Sequence, residues 1–196
     1  MSISVATLTG GQITAVLDDL ARLRIAVFRA WPYMYDGDLF YERRYLSHFA
    51  ESEGAVVIGA FDGARLIGAA TGAPMEDHAD DFARAFAATG IALADIFYCA
   101  ESVLLPEYRG RGLGHAFFDG REAQARALGR RWAAFCSVIR PADHPARPAD
   151  YRPLDAFWRS RGYEKLPGVI AEFSWKDLGQ TEETPKQLQF WIRDLQ

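Results

Sequence analysis

A glycine-dense, basic turn is the segment of this chain whose residue types and spacing best suit chemistry. The chain reads LLPEYRGRGLGH at this point, and Gly110, Gly112 and Gly114 have no side chains to keep a ligand from the backbone. The segment that follows predicts a helix whose unpaired N–H groups and positive dipole end face the turn. Arg109 and Arg111 add charge suited to phosphate oxygens. The turn is therefore predicted to bind a pyrophosphate.

The spacing of these residues distinguishes between the known types of phosphate-binding turn. A Walker loop requires a Lys-Ser or Lys-Thr pair after its glycines, and none follows here. In a G-x-G-x-x-G dinucleotide turn, His115 occupies the place of the last glycine, and Gly114 comes one residue early. The pattern Arg109-x-x-Gly112-x-Gly114, entered through VLLPEYR, does fit another signature. It resembles the acyl-CoA turn of the GNAT superfamily of N-acetyltransferases.

The segment FWRSRGY, from Phe157 to Tyr163, further resembles the superfamily's aromatic segment F-Y-x-x-x-G-F. The resemblance implies an α+β fold, with a mixed, mostly antiparallel sheet flanked by helices. Its fourth and fifth strands splay apart, and acetyl-CoA lies between them as co-substrate. A backbone N–H near Val103 or Leu104 would bind the oxyanion, and Trp158 would pack against the pantetheine arm or the core. The predicted cofactor-binding residues are Val103, Leu104, Leu105, Arg109, Gly110, Arg111, Gly112, Leu113, Gly114 and Trp158.

Glu101 is the predicted catalytic base. Acyl transfer to an amine requires the neutral amine, and a group of pKa about 10 is neutral about one time in a thousand at pH 7. Glu101 stands in the predicted strand before the turn, among apolar residues, where a carboxyl group with a raised pKa suits proton abstraction. The alternative is a structural carboxylate held by backbone donors or by an arginine such as Arg140.

The general acid is where the chain departs from the superfamily pattern. Trp158 replaces the tyrosine often found four residues before the glycine that ends the helix, and indole is no useful proton source. Tyr151 is the predicted catalytic substitute, with Tyr98 and Cys136 as alternatives. The thiolate can also leave unaided, because a thiol of pKa about 8.5 is a fair leaving group.

Acceptor specificity is predicted for segments outside this core. The aromatic loop over residues 31–38 supplies the predicted substrate-binding residues Trp31, Tyr33 and Tyr35, and packing between the first helices is the alternative. The proline-rich loop at 141–153 is a further candidate. The acids of the segment EDHADD could attract a cationic amine, but acids in the first turn of a helix are common dipole partners.

Composition excludes several classes of protein. The 196 residues are 49% hydrophobic, carry a formal charge of −4 and have a pI near 5.6, which argues against binding nucleic acid. No apolar run approaches the ~20 residues of a membrane span, and the start lacks signal-peptide features, so a cytoplasmic location is expected. Cys99 and Cys136 are expected to be buried thiols. The scattered histidines share no metal-ligand spacing with them, so no metal is implied.

Length and composition predict one domain over residues 1–196. The order of elements that periodicity predicts resembles that of the GNAT superfamily. Strands are predicted at 3–8, 55–61, 65–73, 96–105, 131–139, 169–175 and 187–193. Helices are predicted at 12–30, 39–49, 79–89, 112–128 and 154–161. The last strand could pair within the chain or between chains, so a homodimer is possible.

The leading hypothesis is an acetyl-CoA-dependent N-acetyltransferase that acts on a small-molecule or peptide amine by direct transfer in a ternary complex. The alternative is an acyl-CoA-binding or sensing module of the same fold without catalysis, supported by Trp158 in place of tyrosine. A longer acyl group is also compatible with the sequence.

Overall fold

A computed structural model describes residues 3–196 as an open sheet of eight strands flanked by helices. The strands are β1 (Ile3–Leu8), β2 (Val56–Asp62), β3 (Arg65–Pro74), β4 (Ile96–Tyr98), β5 (Ser102–Leu104), β6 (Trp132–Val138), β7 (Glu164–Lys176) and β8 (Glu183–Asp194). The helices are α1 (Gly11–Phe28), α2 (Leu39–Ala50), α3 (Ala79–Phe86), α4 (Leu113–Ala127) and α5 (Asp155–Ser160). The predicted fold class, a mixed, mostly antiparallel sheet flanked by helices, is confirmed.

The strand order is β1-β2-β3-β4-β6-β8-β7, with β5 paired to β3 alone. Every pair is antiparallel except β4 with β6. The last strand lies between β6 and β7 and is bonded to both over Leu188–Ile192. Of the two pairings considered for this strand, the structure therefore shows the one within the chain.

The predicted continuous strand over 96–105 is wrong, because it breaks between β4 and β5. Arg121 of α4 contacts the backbone at this break: its guanidinium is buried and donates to the backbone oxygens of Glu101 at 3.0 Å and Thr71 at 3.4 Å. Beyond Ala134, β6 bonds to β8 only, so the sheet opens between β5 and β6. The GNAT resemblance implies that the fourth and fifth strands splay apart, and these are the predicted strands 96–105 and 131–139. The opening between β5 and β6 is that splay.

Helices cover both faces of the sheet beside this opening. Val57 and Ile58 are neighbours in β2, so their side chains point to opposite faces. Val57 packs in the cluster that contains Leu20 of α1 and Leu46 of α2. Ile58 packs in the cluster that contains Phe117 of α4. The first two helices and α4 therefore lie on opposite sides of the sheet.

The C-terminal hairpin is longer than the sequence pattern predicts, since β7 begins at Glu164 and β8 at Glu183. The register of β7 against β8 shifts between Lys165 and Ile170, and Gly168 there has a positive φ of 75°. This irregularity interrupts the alternation of apolar and polar residues, which is the signal that marks a strand.

Candidate active site

The turn between β5 and α4 presents bare backbone. Gly110 and Gly112 have φ values of 74° and 80°, a region that favours glycine, and a Cβ on either would meet no atom within 4 Å. Gly112 is the N-cap of α4 and makes no side-chain capping bond, so the first N–H groups of the helix are free for a ligand. Arg109 and Arg111 are exposed beside them. This geometry fits the pyrophosphate group that the sequence predicts for the turn.

The edge of β5 offers a further donor. Glu101 and Leu105 both bond to β3 through their backbones. Because hydrogen bonding alternates along an antiparallel strand, Val103 also faces β3, and the N–H of Leu104 faces the opening toward β6. Of the two residues considered as oxyanion donors, Leu104 is the one whose N–H is placed to act.

The other predicted cofactor-binding residues divide into backbone and side-chain contributors. The side chains of Val103 and Leu113 are buried in the core, so only their backbones can reach a ligand. Gly114 packs next to Phe157 of α5, since a Cβ at this position would lie 3.4 Å from the ring, at van der Waals contact. Trp158 packs its ring against Phe135 and Trp191, at centroid distances of 5.0 and 5.1 Å. The sequence predicts that Trp158 packs against either the pantetheine arm or the core, and these contacts match the core.

A cavity of about 500 Å³ lies at the other end of β5. Glu101, Tyr33 and Tyr35 line it, together with side chains of α1, α2, β7 and β8. Trp31 and Tyr151 do not belong to its lining; they pack against each other, edge to face at 6.0 Å. The structure therefore brings two of the predicted acceptor residues to Glu101 but not the predicted acid Tyr151. The aromatic loop and the proline-rich loop meet instead in this separate Trp31–Tyr151 cluster.

Arg24 of α1 organises the buried end of the cavity. It lies 2.5 Å from Glu101, between Nη1 and Oε1, and 2.5 Å from Glu42 of α2, between Nε and Oε2. Burial lowers the pKa of Arg24, but the negative charges of Glu101 and Glu42 outweigh it, so this pKa is raised well above its usual range. Glu101 is thus held by an arginine, and that arginine is Arg24.

Arg140, the arginine considered for that role, anchors the aromatic loop instead. It donates to the backbone oxygens of Pro32 at 2.9 Å and Tyr33 at 2.8 Å. It also makes a two-pronged ion pair with Asp177, at 2.9 and 2.8 Å. The Trp175 indole donates to Tyr33 O at 3.1 Å. The loop is therefore fixed over the cavity from the side of β7.

Buried phenols and a thiol surround the carboxylates. Burial is the main cause that raises the pKa values of Tyr33, Tyr45 and Tyr98. Burial likewise raises the pKa of the Cys136 thiol to about 12, and its sulfur lies 3.7 Å from the Tyr98 hydroxyl. Cys99 and Cys136 are both buried and free, as expected. These groups stay protonated at neutral pH and can donate hydrogen bonds into the cavity.

Sequence analysis missed Arg24 and Glu42, although a signal was present. Arg24 falls between Leu20 and Phe28 on the apolar stripe of α1, and Glu42 falls four residues before Leu46 on that of α2. A charge on an apolar stripe is costly unless it is paired, so opposite charges on the apolar stripes of successive helices predict a buried ion pair.

Two other features are absent from residues 3–196, the part of the chain that the structure describes. No group of three or more His, Cys, Asp or Glu side chains there is arranged to hold a metal ion. In that same range, no helix combines the length and the apolar character that crossing a membrane requires.

Comparison with solved structures finds the same architecture. A ribosomal-protein-alanine N-acetyltransferase from Brucella melitensis has a TM-score of 0.60 at 14% identity, covering 97% of this chain and 99% of that one. The PaiA N-acetyltransferase from Thermoplasma acidophilum, in complex with coenzyme A, has a TM-score of 0.57 at 14% identity, covering 99% of both chains. An acetyltransferase of the GNAT family from Staphylococcus aureus has a TM-score of 0.58 at 10% identity, covering 100% of both.

The sequence itself matches no protein-family model and no curated protein. The likeness therefore rests on the shape of the chain, which is shared along essentially its whole length with enzymes that are nearly unrelated to it in sequence. The splayed strands, the glycine turn and the uncapped helix after it occur in the order that this architecture requires. The chain has the fold of the GNAT N-acetyltransferases.

Proposed function

We propose that this protein is an acetyl-CoA-dependent N-acetyltransferase that transfers the acetyl group directly to a primary amine in a ternary complex. The observation that carries the proposal is the placement of three features along one stretch of chain. Glu101 lines the cavity, the free N–H of Leu104 faces the opening of the sheet, and the turn at Gly110 and Gly112 presents bare backbone. A cavity for the acceptor and a turn for the donor are thus joined by one strand.

Each part of the site has a task in this reaction. When bound, acetyl-CoA supplies a thioester, an activated acyl group. The amides after Gly110 and at the start of α4 would hold its pyrophosphate, with Arg109 and Arg111 adding charge. The N–H of Leu104 would stabilise negative charge on the thioester oxygen in the transition state.

Glu101 would accept the proton of the attacking amine, directly or through water. Its position is fixed by the ion pair with Arg24 at 2.5 Å. The phenols of Tyr33, Tyr45 and Tyr98, which line the same cavity, are the donors available to the departing thiolate. They take the place of Tyr151, which lies outside the lining.

The test is the consumption of acetyl-CoA, read as free thiol, across a panel of primary amines. We expect turnover on one class of amine and a loss of about a hundredfold or more in kcat for Glu101→Gln, because a general base contributes about that factor. Affinity for coenzyme A should stay unchanged in this variant. Glu53→Gln, at an exposed loop position, is the matched control and should keep full activity.

The second candidate is a coenzyme A-binding module without catalysis. It is favoured by Trp158, which packs in the core where the superfamily often has a catalytic tyrosine. This candidate predicts binding of coenzyme A by calorimetry with no thiol released for any amine. Full activity in Glu101→Gln would instead support the acetyltransferase function and contradict the role of Glu101 as the base.

A further inference from the structure

The buried end of the cavity carries more negative than positive charge. Glu42 and Glu101 share one guanidinium, that of Arg24, so one carboxylate charge is left without a partner. Glu42 is 0% exposed, and its Oε1 atom lacks a hydrogen bond of ordinary length, although the hydroxyl of Tyr35 is a donor near this carboxylate. A buried, half-satisfied carboxylate costs free energy unless a ligand with donors completes it. This atom lies in a residue that lines the cavity.

The outer part of the cavity has the same sign of charge. Asp36, Asp38 and Glu183 line it, and the ammonium of Lys176 pairs with Asp36 at 3.0 Å. The lining itself contains five carboxylates against two cationic side chains, an excess of three negative charges, and Arg29 outside the lining, 3.7 Å from Asp36, balances part of it. Low-dielectric walls concentrate the field of such charges and attract cations.

The attacking nitrogen can balance only one of these charges. An amine attacks a thioester only after it has lost its proton, and that proton neutralises Glu101 when Glu101 is the base. A cavity that served monoamines alone would keep the rest of its excess negative charge through the reaction. An acceptor with a second, permanently protonated nitrogen would neutralise part of that charge throughout.

The walls suit a cation on an apolar spacer. Aromatic faces attract ammonium groups, and they also bury methylene groups. The cavity volume of about 500 Å³ lies within the usual range for small-molecule sites. Eight aromatic side chains line the cavity: Phe28, Tyr33, Tyr35, Tyr41, Tyr45, Tyr98, Phe173 and Trp175.

We propose, on the basis of the transferase function above, that the acceptor is a diamine or polyamine, a primary amine joined through an aliphatic spacer to a second cationic group. The second cation would lie among the carboxylates of the cavity mouth, Asp36, Asp38 and Glu183, while the reacting amine lies toward Glu101 and Leu104.

The experiment compares cadaverine with pentylamine, which share a five-carbon chain and differ in the second amino group. We expect kcat/KM for cadaverine to exceed that for pentylamine by about tenfold or more, with thiol release as the readout. Glu183→Gln, at the exposed mouth, should raise KM for cadaverine and leave KM for pentylamine and for acetyl-CoA unchanged. Glu182→Gln, its exposed neighbour outside the lining, should change none of these.

Glu42→Gln tests the buried end, where the preference for cadaverine should shrink. Because this variant also alters an ion pair, its folding is checked by urea unfolding, and Glu183→Gln keeps the test independent of it. Equal kcat/KM for the two amines overturns the acceptor class and leaves the transferase intact. Cadaverine binding by calorimetry with no thiol release for any amine retains the cation preference and overturns the transferase.

Discussion

The glycine turn and the cavity at the two ends of β5 are built in opposite ways. The turn is made of consecutive residues, is exposed, and would act through backbone N–H groups and a helix end. The cavity is made of side chains from α1, α2, the aromatic loop and the C-terminal hairpin, and its central ion pairs are buried. One site is local and the other is assembled from distant parts of the chain.

Because the two regions are built differently, they tolerate changes of sequence to different degrees. Binding a pyrophosphate through backbone needs only glycines and a helix start, so it survives large changes of sequence elsewhere. Recognition of an acceptor depends on side chains that reach the cavity from separate elements, and each can change without disturbing the turn. The following substitutions separate the two regions experimentally.

The largest effect is expected for Arg24→Met, which removes the cation between Glu42 and Glu101. Breaking a buried ion pair by removing one partner leaves charges buried without compensation, and the free energy of unfolding should fall by about 3–5 kcal/mol. Urea unfolding measures it. Arg43→Met, which breaks the exposed pair with Asp18, should have a much smaller effect, because solvent and salt screen an exposed ion pair. Equal losses for the two variants would contradict the central place of Arg24.

Gly112→Asp should damage the turn and spare the fold. A residue with a side chain at a φ of 80° costs about 1–2 kcal/mol, and the carboxylate repels a phosphate. Affinity for coenzyme A, measured by calorimetry, should fall by about tenfold to a hundredfold. Gly90→Asp carries the same strain, at a φ of 72°, in the loop before β4. If both variants bind coenzyme A equally, the turn is not the pyrophosphate site.

Arg140→Lys should loosen the aromatic loop over the cavity without affecting the turn. Lysine cannot reproduce the fork that holds Asp177 together with the backbone oxygens of Pro32 and Tyr33. KM for the acceptor should rise about fivefold, the effect of about 1 kcal/mol, with unchanged affinity for coenzyme A. Arg84→Lys, at an exposed position of α3, is the matched control. If Arg140→Lys raised the Kd of coenzyme A and left KM for the acceptor unchanged, the assignment of Arg140 to the acceptor cavity would be wrong.

An effect that is absent at neutral pH is an alkaline loss of stability that originates in the cavity. Burial raises the pKa of Cys136 from 9.0 to about 12, so the folded chain holds this proton more tightly than the unfolded chain. The stability it contributes is complete below about pH 9 and is lost progressively as the pH rises toward 12. Urea unfolding of Cys136→Ala at rising pH should show a shallower decline than the wild type. Parallel declines would contradict the buried thiol.

Much of the fold was predictable because its signals are local. The hairpin of β2 and β3 follows from apolar runs around Asp62 and Gly63, and the turn follows from glycines next to a helix pattern. The break between β4 and β5 was not predictable from apolar content, because the buried guanidinium that contacts the backbone there, that of Arg121, comes from a distant helix.

The candidate site was predictable in proportion to how local it is. Glu101 was found because it precedes the turn in sequence, and Tyr33 and Tyr35 because the aromatic loop is conspicuous. Tyr151 was chosen by residue type alone, and the structure places it against Trp31 instead of in the cavity lining. The partners Arg24 and Glu42 needed a comparison of two helices.

Neighbouring residues were therefore enough to predict the glycine turn, the order of elements and a carboxylate before the turn, since each depends on local sequence and backbone conformation. The folded chain was needed to show that Arg24 holds Glu101, that Leu104 has the free N–H, and that five carboxylates meet eight aromatic rings in one cavity. Buried charges need partners, which local sequence does not name. Packing alone determines which partners, far apart in the chain, come within reach.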